Sequence, residues 1–246
     1  MDELAWLRCV GSNAHQVLES LSEARSPEWF SPFAVPVRSA VRLEEVLPRG
    51  DLAQRSRDGR VMLWTVMSEE AFAVLQSDGA ISGRPEFMEP YSAAYGWMRW
   101  QMMRRLPSYR GQFPIWAWRN PHRWELLEIL EGASGVLVTH VAPEESMVCS
   151  REGLFVSVVN GYPLPPDGLS DDEFDEFFDR WGEVLIDAGC GRLQWWQYPA
   201  AVLRELLSSW EEIIVEDAAS AGLVQACVPL LQAADVIDAV ALTGMG

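Results

Sequence analysis

Short apolar segments and well-capped helices alternate irregularly from Val61 onward, and this pattern constrains the fold more than any other feature of the chain. VMLWTVM is an apolar run of strand length. Ser68 then offers an N-cap, two glutamates follow it, and Gly79 offers a C-terminal stop. SEEAFAVLQSD is therefore predicted to be a helix.

The central part of the chain carries the same kind of signal. AAYGWMRWQMMRRL predicts a helix that ends at Leu106, and QFPIWAW predicts a strand entered through Pro114. Asn120 and Pro121 form a cap and first-turn pair, which predicts a helix over PHRWELLEILEG up to Gly132. GVLVTHVA predicts one more strand, and SMVCS or LFVSVVN another.

The C-terminal third predicts two helices and a last strand. Ser170 and Glu173 form a capping box before an amphipathic helix that Gly189 ends. YPAAVLRELLSSW predicts a helix, LVQACVPLL a strand, and AADVIDAVAL either of the two. Because hairpin-like strand pairs interrupt the helices irregularly, we expect an α+β fold with a mixed, largely antiparallel sheet and flanking helices.

Residues 1–60 are interpreted as an N-terminal extension of a main domain that covers residues 61–246. Three prolines in SPEWFSPFAVPV preclude a regular helix there, and the polar stretch DLAQRSRDGR is typical of a linker. We expect the extension to pack on the main domain through Trp29, Phe30 and Phe33. It should then contribute to stability without lining the functional site.

The charge of the chain is strongly negative and unevenly distributed. The 246 residues carry a formal net charge of −17, and residues 167–246 contain sixteen acidic residues against three arginines. An acidic surface repels phosphate backbones, so general nucleic-acid binding is not expected. The chain has no apolar run long enough for a membrane span and no secretory signal, so a cytoplasmic protein is expected.

All 19 basic residues are arginines. The absence of lysine excludes a Schiff-base lysine and a Walker lysine. Any anion site is expected within one group of arginines: Arg84, Arg99, Arg104, Arg105, Arg110, Arg119 and Arg123.

Common metal and catalytic signatures are absent from the sequence. There is no GxGxxG, GxxxxGK[ST], GxSxG or HExxH motif. Asp171, Asp175 and Asp179 align on a helix, but the opposite face is apolar, so we interpret them as its solvated side and expect no metal. His122 and His140 are interpreted as structural. Buried, reduced thiols rather than zinc ligands or disulfides are expected for the four dispersed cysteines: Cys9, Cys149, Cys190 and Cys227.

The most distinctive stretch is residues 61–118. It contains Trp64-Thr65, Gly79, Tyr95, Trp97-Met98, Gln101-Met102, Arg105 and Pro114-Ile115-Trp116-Ala117-Trp118. With these residues the chain resembles a bacterial domain-of-unknown-function family (number 3841) over about 62–240. The likeness continues through VLVTHVAPEESMVCS, Asn160, Ser209-Trp210-Glu211 and Gln225-Ala226, with a departure at Gly96, where an acid is expected. This resemblance implies a domain boundary, but it implies no activity, substrate or cofactor.

The order of these segments also resembles, more distantly, the layout of ADP-ribosyltransferases. In those enzymes a first-strand polar residue meets NAD, and a last-strand Gln/Glu-x-Glu motif holds the nicotinamide ribose. Trp64-Thr65 and Gln225-Ala226-Cys227 would take these places, so the resemblance puts a thiol where the catalytic glutamate stands. A neutral thiol does not stabilise a developing cation as a carboxylate does. The resemblance therefore implies the fold of ADP-ribosyltransferases without their standard reaction. The layout requires Gln225 to lie no more than one strand away from Trp64.

A direct interpretation of the residues suggests a ligand clamp. Trp116 and Trp118 alternate onto the same side of a strand. Two indoles beside the Arg105 guanidinium can hold a flat anionic ligand such as a nucleotide. The alternative is that both indoles belong to the core and that Arg105 forms an ion pair with Glu69 or Glu125.

Two functional hypotheses follow. The first is a nucleotide-type ligand-binding or transferase-like domain, whose cofactor and catalytic residues are left open. Its candidate site residues are Trp64, Thr65, Tyr95, Arg105, Trp116, Trp118 and Gln225. The second is a non-catalytic interaction module, of immunity or antitoxin type, whose acidic half (residues 167–246) binds a basic protein partner.

Overall fold

A computed structural model describes residues 36–39, 59–85, 91–119, 121–218 and 223–242. Within these ranges the chain forms ten strands and six α-helices. The strands are β1 (Val37–Ser39), β2 (Arg60–Met67), β3 (Ala80–Ile81), β4 (Ile115–Arg119), β5 (Gly135–Pro143), β6 (Val148–Arg151), β7 (Ile214–Val215), β8 (Val224–Val228), β9 (Leu231–Gln232) and β10 (Val236–Leu242). The helices are α1 (Glu69–Asp78), α2 (Ser92–Arg105), α3 (Arg123–Leu130), α4 (Phe155–Asn160), α5 (Asp171–Asp187) and α6 (Ala200–Trp210).

Eight strands form one sheet in the order β1-β10-β5-β2-β4-β8-β6-β7, and β3 pairs with β9 in a separate ribbon. The β1–β10 pair is parallel, and the other neighbours in the sheet are antiparallel. The predicted α+β class with a mixed, mostly antiparallel sheet is therefore confirmed.

Local sequence signals set several of the element boundaries. The Ser68 side chain accepts a hydrogen bond from the Ala71 backbone N–H at 3.1 Å, and Gly79 ends α1 with a left-handed φ of 77°. At α5, the Glu173 backbone N–H donates to the Ser170 hydroxyl, and the Glu173 carboxylate accepts from the Ser170 backbone N–H. The predicted cap of α1 and the predicted capping box of α5 are confirmed.

One local prediction is corrected, and two alternatives that the sequence left open are decided. The helix predicted to begin at Asn120 and Pro121 begins at Arg123 with His122 as its N-cap, because the Glu125 carboxylate accepts the His122 backbone N–H at 2.6 Å. LFVSVVN forms the helix α4 rather than a strand. SMVCS supplies strand β6 instead, and AADVIDAVAL supplies strand β10.

Strand register assigns side chains to two faces of the sheet. Paired residues of antiparallel strands present their side chains to the same face, and successive residues alternate. Trp64 is paired with Trp118, and Trp116 lies two residues before Trp118, so all three indoles share one face, called the tryptophan face here. The prediction that Trp116 and Trp118 lie on one side of their strand is confirmed.

Two separate groups of helices cover the tryptophan face. Helix α3 packs Leu126 and Leu130 against Trp64 and partly buried Trp118. The second group comprises α2, α4, α5 and α6, and its core includes Trp97, Val158, Trp181 and Trp210. This second group covers Cys227 and Val148, and partly buried Trp116 packs against it. The boundary between the two groups runs between Trp118 and Trp116.

Helix α1 and the β3–β9 ribbon cover part of the other face. Phe72 and Leu75 of α1 pack against Val136, Val138 and Ala239, which belong to β5 and β10. This packing leaves the tryptophan face as the side on which α2 to α4 and α6 meet the sheet.

Part of the N-terminal extension joins the sheet. Val37 of β1 pairs with Ala239 of β10, and Arg38 forms an ion pair with Asp238. Trp29, Phe30 and Phe33 lie outside the described residues. The division into an extension and a main domain, and the extension's effect on stability, stay predictions.

Glycines at the two ends of α4 test how closely this helix packs against Trp195. Gly161 has a φ of +72°, and a Cβ there would lie 2.6 Å from the Trp195 Cβ. Gly153 has a φ of +75°, and a Cβ there would have no neighbouring atom within 4 Å. We expect Gly161→Ala to lower the free energy of unfolding by more than ~2 kcal/mol, since it adds a steric clash to left-handed strain. Gly153→Ala, which adds only the strain, should cost about 1 kcal/mol. Equal losses in urea unfolding would contradict the close approach.

Candidate functional site

A row of paired side chains crosses the tryptophan face where the two helix groups meet. The row runs over four neighbouring strands: Trp64 on β2, Trp118 on β4, Gln225 on β8 and Ser150 on β6. Trp64 and Ser150 are buried, whereas Trp118 and Gln225 are half-buried. A half-buried glutamine at the centre of a sheet face shows that the helices do not fully cover this row.

Three buried polar atoms around this row have no hydrogen-bond partner among the described residues. They are Trp118 Nε1, Ser150 Oγ and Glu152 Oε2. Ser150 is 0% exposed, and such a buried hydroxyl costs free energy unless a partner satisfies it. We call Trp118, Gln225, Ser150 and Glu152 together the polar strip. Other unpartnered indole N–H groups, those of Trp97 and Trp181, lie apart from the strip in the core of the second helix group.

Glu152 brings a carboxyl group to the strip. Its backbone N–H donates to the Leu223 carbonyl at 3.4 Å, so the β6–β8 ladder continues by one residue beyond Arg151. Glu152 therefore alternates onto the same face as Ser150. Burial raises the pKa of the Glu152 carboxyl, and the Gly153 backbone N–H and the nearby Trp118 indole only partly offset it. The Trp118 indole is close enough to affect that carboxyl, yet the two do not complete a hydrogen bond of normal geometry.

An aromatic cluster lies beside the polar strip. The Trp116 ring is 4.6 Å from the Phe155 ring of α4 and 6.4 Å from the Tyr95 ring of α2, measured between centroids. Tyr95 and Phe155 meet edge to face at 5.8 Å. Burial raises the pKa of Tyr95. Three half-buried rings thus form an apolar wall next to the polar strip.

Comparison with known protein families matches residues 62–228 to the domain of unknown function DUF3841. The chain belongs to the DUF3841 family. The matched segment extends from β2 through β8 and so contains the polar strip and the aromatic cluster. No curated protein and no solved structure matches the chain.

Thr65 of the DUF3841 domain lies on the opposite face from Trp64 and Gln225. The Thr65 side chain is buried, at 2% exposure. Its hydroxyl donates to the Trp116 carbonyl at 3.1 Å, and the distance from Thr65 Oγ1 to His140 Nε2 is 3.3 Å. Burial lowers the pKa of His140 to about 4. The Thr65–His140 pair is thus a neutral core contact, separated from the candidate site by the sheet.

Arg105 forms the structural ion pair that the sequence offered as an alternative, but with a different acid. Its Nη2 donates to Glu211 Oε2 at 3.0 Å, and its Nη1 donates to the Gln101 amide oxygen. Arg104 donates to the same Glu211 carboxylate at 2.6 Å. The expected partners, Glu69 and Glu125, are not used. Burial alone would raise the pKa of Glu211, but hydrogen bonds from Gln101, Arg105 and Arg104 lower it below its ordinary value.

The other described arginines of the predicted anion region also contact the protein. Arg99 donates twice to the Gly111 carbonyl and lies 4.4 Å above the Phe113 ring. Arg119 is 5% exposed and donates to Glu144 at 2.6 Å. The guanidinium groups of Arg99 and Arg119 thus have partners inside the fold, whereas Arg84 and Arg110 are exposed.

Cys227 cannot replace a catalytic carboxylate. It is completely buried beside Trp116 in the strand register, and burial raises the pKa of its thiol well above the ordinary value. Cys149 and Cys190 are also buried free thiols, and Cys9 lies outside the described residues.

The expected strand spacing of an ADP-ribosyltransferase-like layout is wrong. Trp64 and Gln225 lie two strands apart, because Trp118 of β4 pairs with both of them. The layout required them to be at most one strand apart, and no solved structure supplies a link to that fold.

Among the described residues, no group of three or more His, Cys, Asp or Glu side chains is placed to hold a metal ion. Asp171, Asp175 and Asp179 are exposed on α5. No described helix combines the length and apolar character that a bilayer span requires.

Ser150 and Glu152 were not predicted as site residues. The segment SMVCSREG does contain a pattern that could have indicated them. Ser150 and Glu152 are two residues apart, so on a strand both side chains lie on the same face. Their neighbours could not be predicted, because Gln225 is 75 residues away from Ser150 in the chain.

The burial of His140 predicts a pH dependence of stability. Between pH 6.5 and about 4 the unfolded chain binds a proton at this position that the folded domain does not bind. The free energy of unfolding should therefore fall as the pH is lowered through this window, by about 3 kcal/mol in total. His140→Gln should remove this part of the slope in chemical unfolding measured at several pH values. Thr65→Val keeps the imidazole and should keep the slope, and a wild-type slope in His140→Gln would contradict the assignment.

Proposed function

We propose that this DUF3841 domain binds a nucleotide-type small molecule at the polar strip, as a ligand-binding or transferase-like domain. The observation that carries the proposal is the row in which half-buried Trp118 and Gln225 lie beside Ser150, whose buried hydroxyl has no hydrogen-bond partner among the described residues. Buried polar groups normally have partners, and binding sites are a common place for groups that lack them.

The aromatic rings supply the second property that such a ligand needs. Trp116, Trp118 and Tyr95 are half-buried, so part of each side chain remains accessible. Stacking of a base on an aromatic ring contributes about 1–3 kcal/mol per base. A flat ring stacked beside the polar strip would place its polar edge next to Gln225.

The geometry divides the candidate residues of the sequence into two sets. Trp64, Trp118 and Gln225 share one row, and Trp116 with Tyr95 lies beside it. Thr65 faces the other side of the sheet, and Arg105 is held by Glu211. The proposed ligand contacts are therefore Trp116, Trp118 and Gln225, with Trp64 next to Trp118 in the row and Tyr95 beside Trp116.

A thermal-shift screen with NAD, nucleotides, nucleosides and phosphosugars tests this proposal. At least one nucleotide-type compound should raise the melting temperature of the wild-type protein. Gln225→Met keeps the side-chain volume but removes the amide, so it should abolish that shift. Gln232→Met, at an exposed position of β9, should leave it intact. A flat response of the wild-type protein to the whole panel, supported by calorimetry, would refute ligand binding at this site.

A separate surface supports the second candidate function, a protein-interaction module with a basic partner. Helix α5 carries eight acidic residues and one arginine, and all eight acids are exposed. Phe174 and Tyr162 are each 44% exposed, and both contact Phe178 edge to face, at 4.8 and 5.4 Å between centroids. Exposed aromatic rings surrounded by carboxylates suit a partner that presents basic and apolar side chains together.

Affinity purification tests this second candidate, with one serine variant on α5 and a control serine variant at an exposed apolar residue elsewhere. A specific partner should be basic and should dissociate at about 0.5 M salt, where the Debye length falls to a few ångström. Phe174→Ser should abolish its binding to the purified domain. Val156→Ser changes another exposed apolar residue, outside α5, and should not affect binding. A partner that binds both variants equally would contradict the assignment of this surface.

A further inference from the structure

Aromatic rings at the start of α5 form one continuous surface with Tyr162, which precedes this helix in the chain. Phe174 and Tyr162 both contact Phe178, with interplanar angles of 65° and 68° and ring centroids 4.8 and 5.4 Å apart. Phe174 and Tyr162 are each 44% exposed, and Phe178 is half-buried. We call these three residues the aromatic surface. Part of each of its side chains is accessible from solvent.

Two carboxylates lie on the same stripe of α5 as two of these rings. Asp171, Phe174, Asp175 and Phe178 occupy positions i, i+3, i+4 and i+7 of the helix. Residues at these spacings share one helix face, so each carboxylate lies beside a ring. Both Asp171 and Asp175 are exposed, and neither forms an ion pair with a side chain in the described ranges.

Other charged groups in this part of the chain already have roles within the fold. The Glu173 carboxylate accepts hydrogen bonds from the backbone N–H and the hydroxyl of Ser170, at 2.9 and 2.7 Å, and these bonds lower its pKa. Asp167 forms an ion pair with Arg151 at 3.2 Å. The arginine of α5 itself, Arg180, follows Asp175 by five residues and so points about 140° away around the helix. The carboxylates of the stripe are therefore available to a partner.

The domain contains an internal example of the cation that such a combination holds. The Arg104 guanidinium lies 4.4 Å above the Trp100 ring and also donates to the Glu211 carboxylate at 2.6 Å. One guanidinium stacks on a ring and pairs with a carboxylate at the same time, because its planar face stacks while its edge donates. The stripe on α5 presents the same two kinds of group to the solvent.

We propose that the aromatic surface, with Asp171 and Asp175, binds arginine side chains of a protein partner and prefers them to lysine side chains. The inference rests on the second candidate function, the interaction module, and deepens it by naming the side chain that the partner supplies. A guanidinium stacks on rings and donates in a fork to a carboxylate, whereas an ammonium is a compact and strongly hydrated charge. The net charge of −17 attracts both cations, and the rings discriminate between them.

Titration of two peptides of equal charge tests this preference. Labelled hexa-arginine and hexa-lysine are titrated with the full chain at about 0.05 M salt, where charge screening is weak, and binding is followed by fluorescence anisotropy. Hexa-arginine should bind at least ~3-fold more tightly than hexa-lysine, because the guanidinium gains more from stacking. Equal binding of the two peptides, or no binding of either, would overturn the proposal.

Variants on α5 assign the preference to the rings. Phe174→Leu keeps an apolar contact with Phe178 but removes the ring face, so it should reduce the preference for hexa-arginine to less than about 1.5-fold. Asp175→Asn should weaken the binding of both peptides. Asp187→Asn makes the same change of charge at the other end of α5 and should weaken binding much less. Should Phe174→Leu fail to fold, as judged by circular dichroism, Tyr162→Leu removes the other exposed ring and should show the same loss.

Two results with these variants would contradict the assignment. An arginine preference that persists in folded Phe174→Leu would overturn the role of the rings. Equal weakening by Asp175→Asn and Asp187→Asn would show that only the overall charge of α5 attracts the peptides.

The outcomes also separate this inference from the interaction function. A purified partner whose binding depends on Phe174, together with equal binding of the two peptides, would keep the interaction function and overturn the arginine preference. Discrimination between the peptides without any partner that depends on Phe174 would keep the chemistry of the surface and remove the support for the interaction function.

Discussion

The pairing of β4 with β2 on one side and β8 on the other is the constraint on which the rest of the structure depends. Trp118 is the residue of β4 that pairs with Trp64 and Gln225 at once. This register brings together segments from the start, middle and end of the family-matched region. It also sets which side chains share the tryptophan face, because a shift by one residue would turn every side chain of β4 to the other face.

The polar strip lies where two helix groups adjoin on that face. Helix α3 covers Trp64, while α2, α4 and α6 cover the Cys227 end of the sheet. The second group is held by large aromatic contacts, among them Trp97 against Trp210 at 5.8 Å, and by the hydrogen bond from Trp210 Nε1 to the Tyr162 carbonyl at 2.7 Å. These contacts fix the edge of the helical layer, and they leave Gln225 partly accessible beside it.

The charges divide into an internal and an external set. Arginines of the central region are used inside the fold, as in the contact of Arg119 with Glu144 and of Arg105 with Glu211. Acidic residues of α5 instead remain exposed around Phe174 and Tyr162. The same net negative charge therefore has two consequences: few cations remain to bind an anion, and one helix presents a surface suited to a basic partner.

The sequence by itself determined the features that depend on neighbours along the chain. Capping residues predicted α1 and α5, and short apolar runs predicted β2 and β4, because both signals act within one or two turns or one strand. These local signals were less reliable at LFVSVVN. Its β-branched residues favour a strand, but the segment packs on the aromatic core as the helix α4. The tertiary structure alone decided that Glu211 pairs with Arg105, that β4 separates Trp64 from Gln225, and that Ser150 and Glu152 join the strip. Those contacts depend on strand register and on residues far apart in the chain, and no local pattern of residues encodes them.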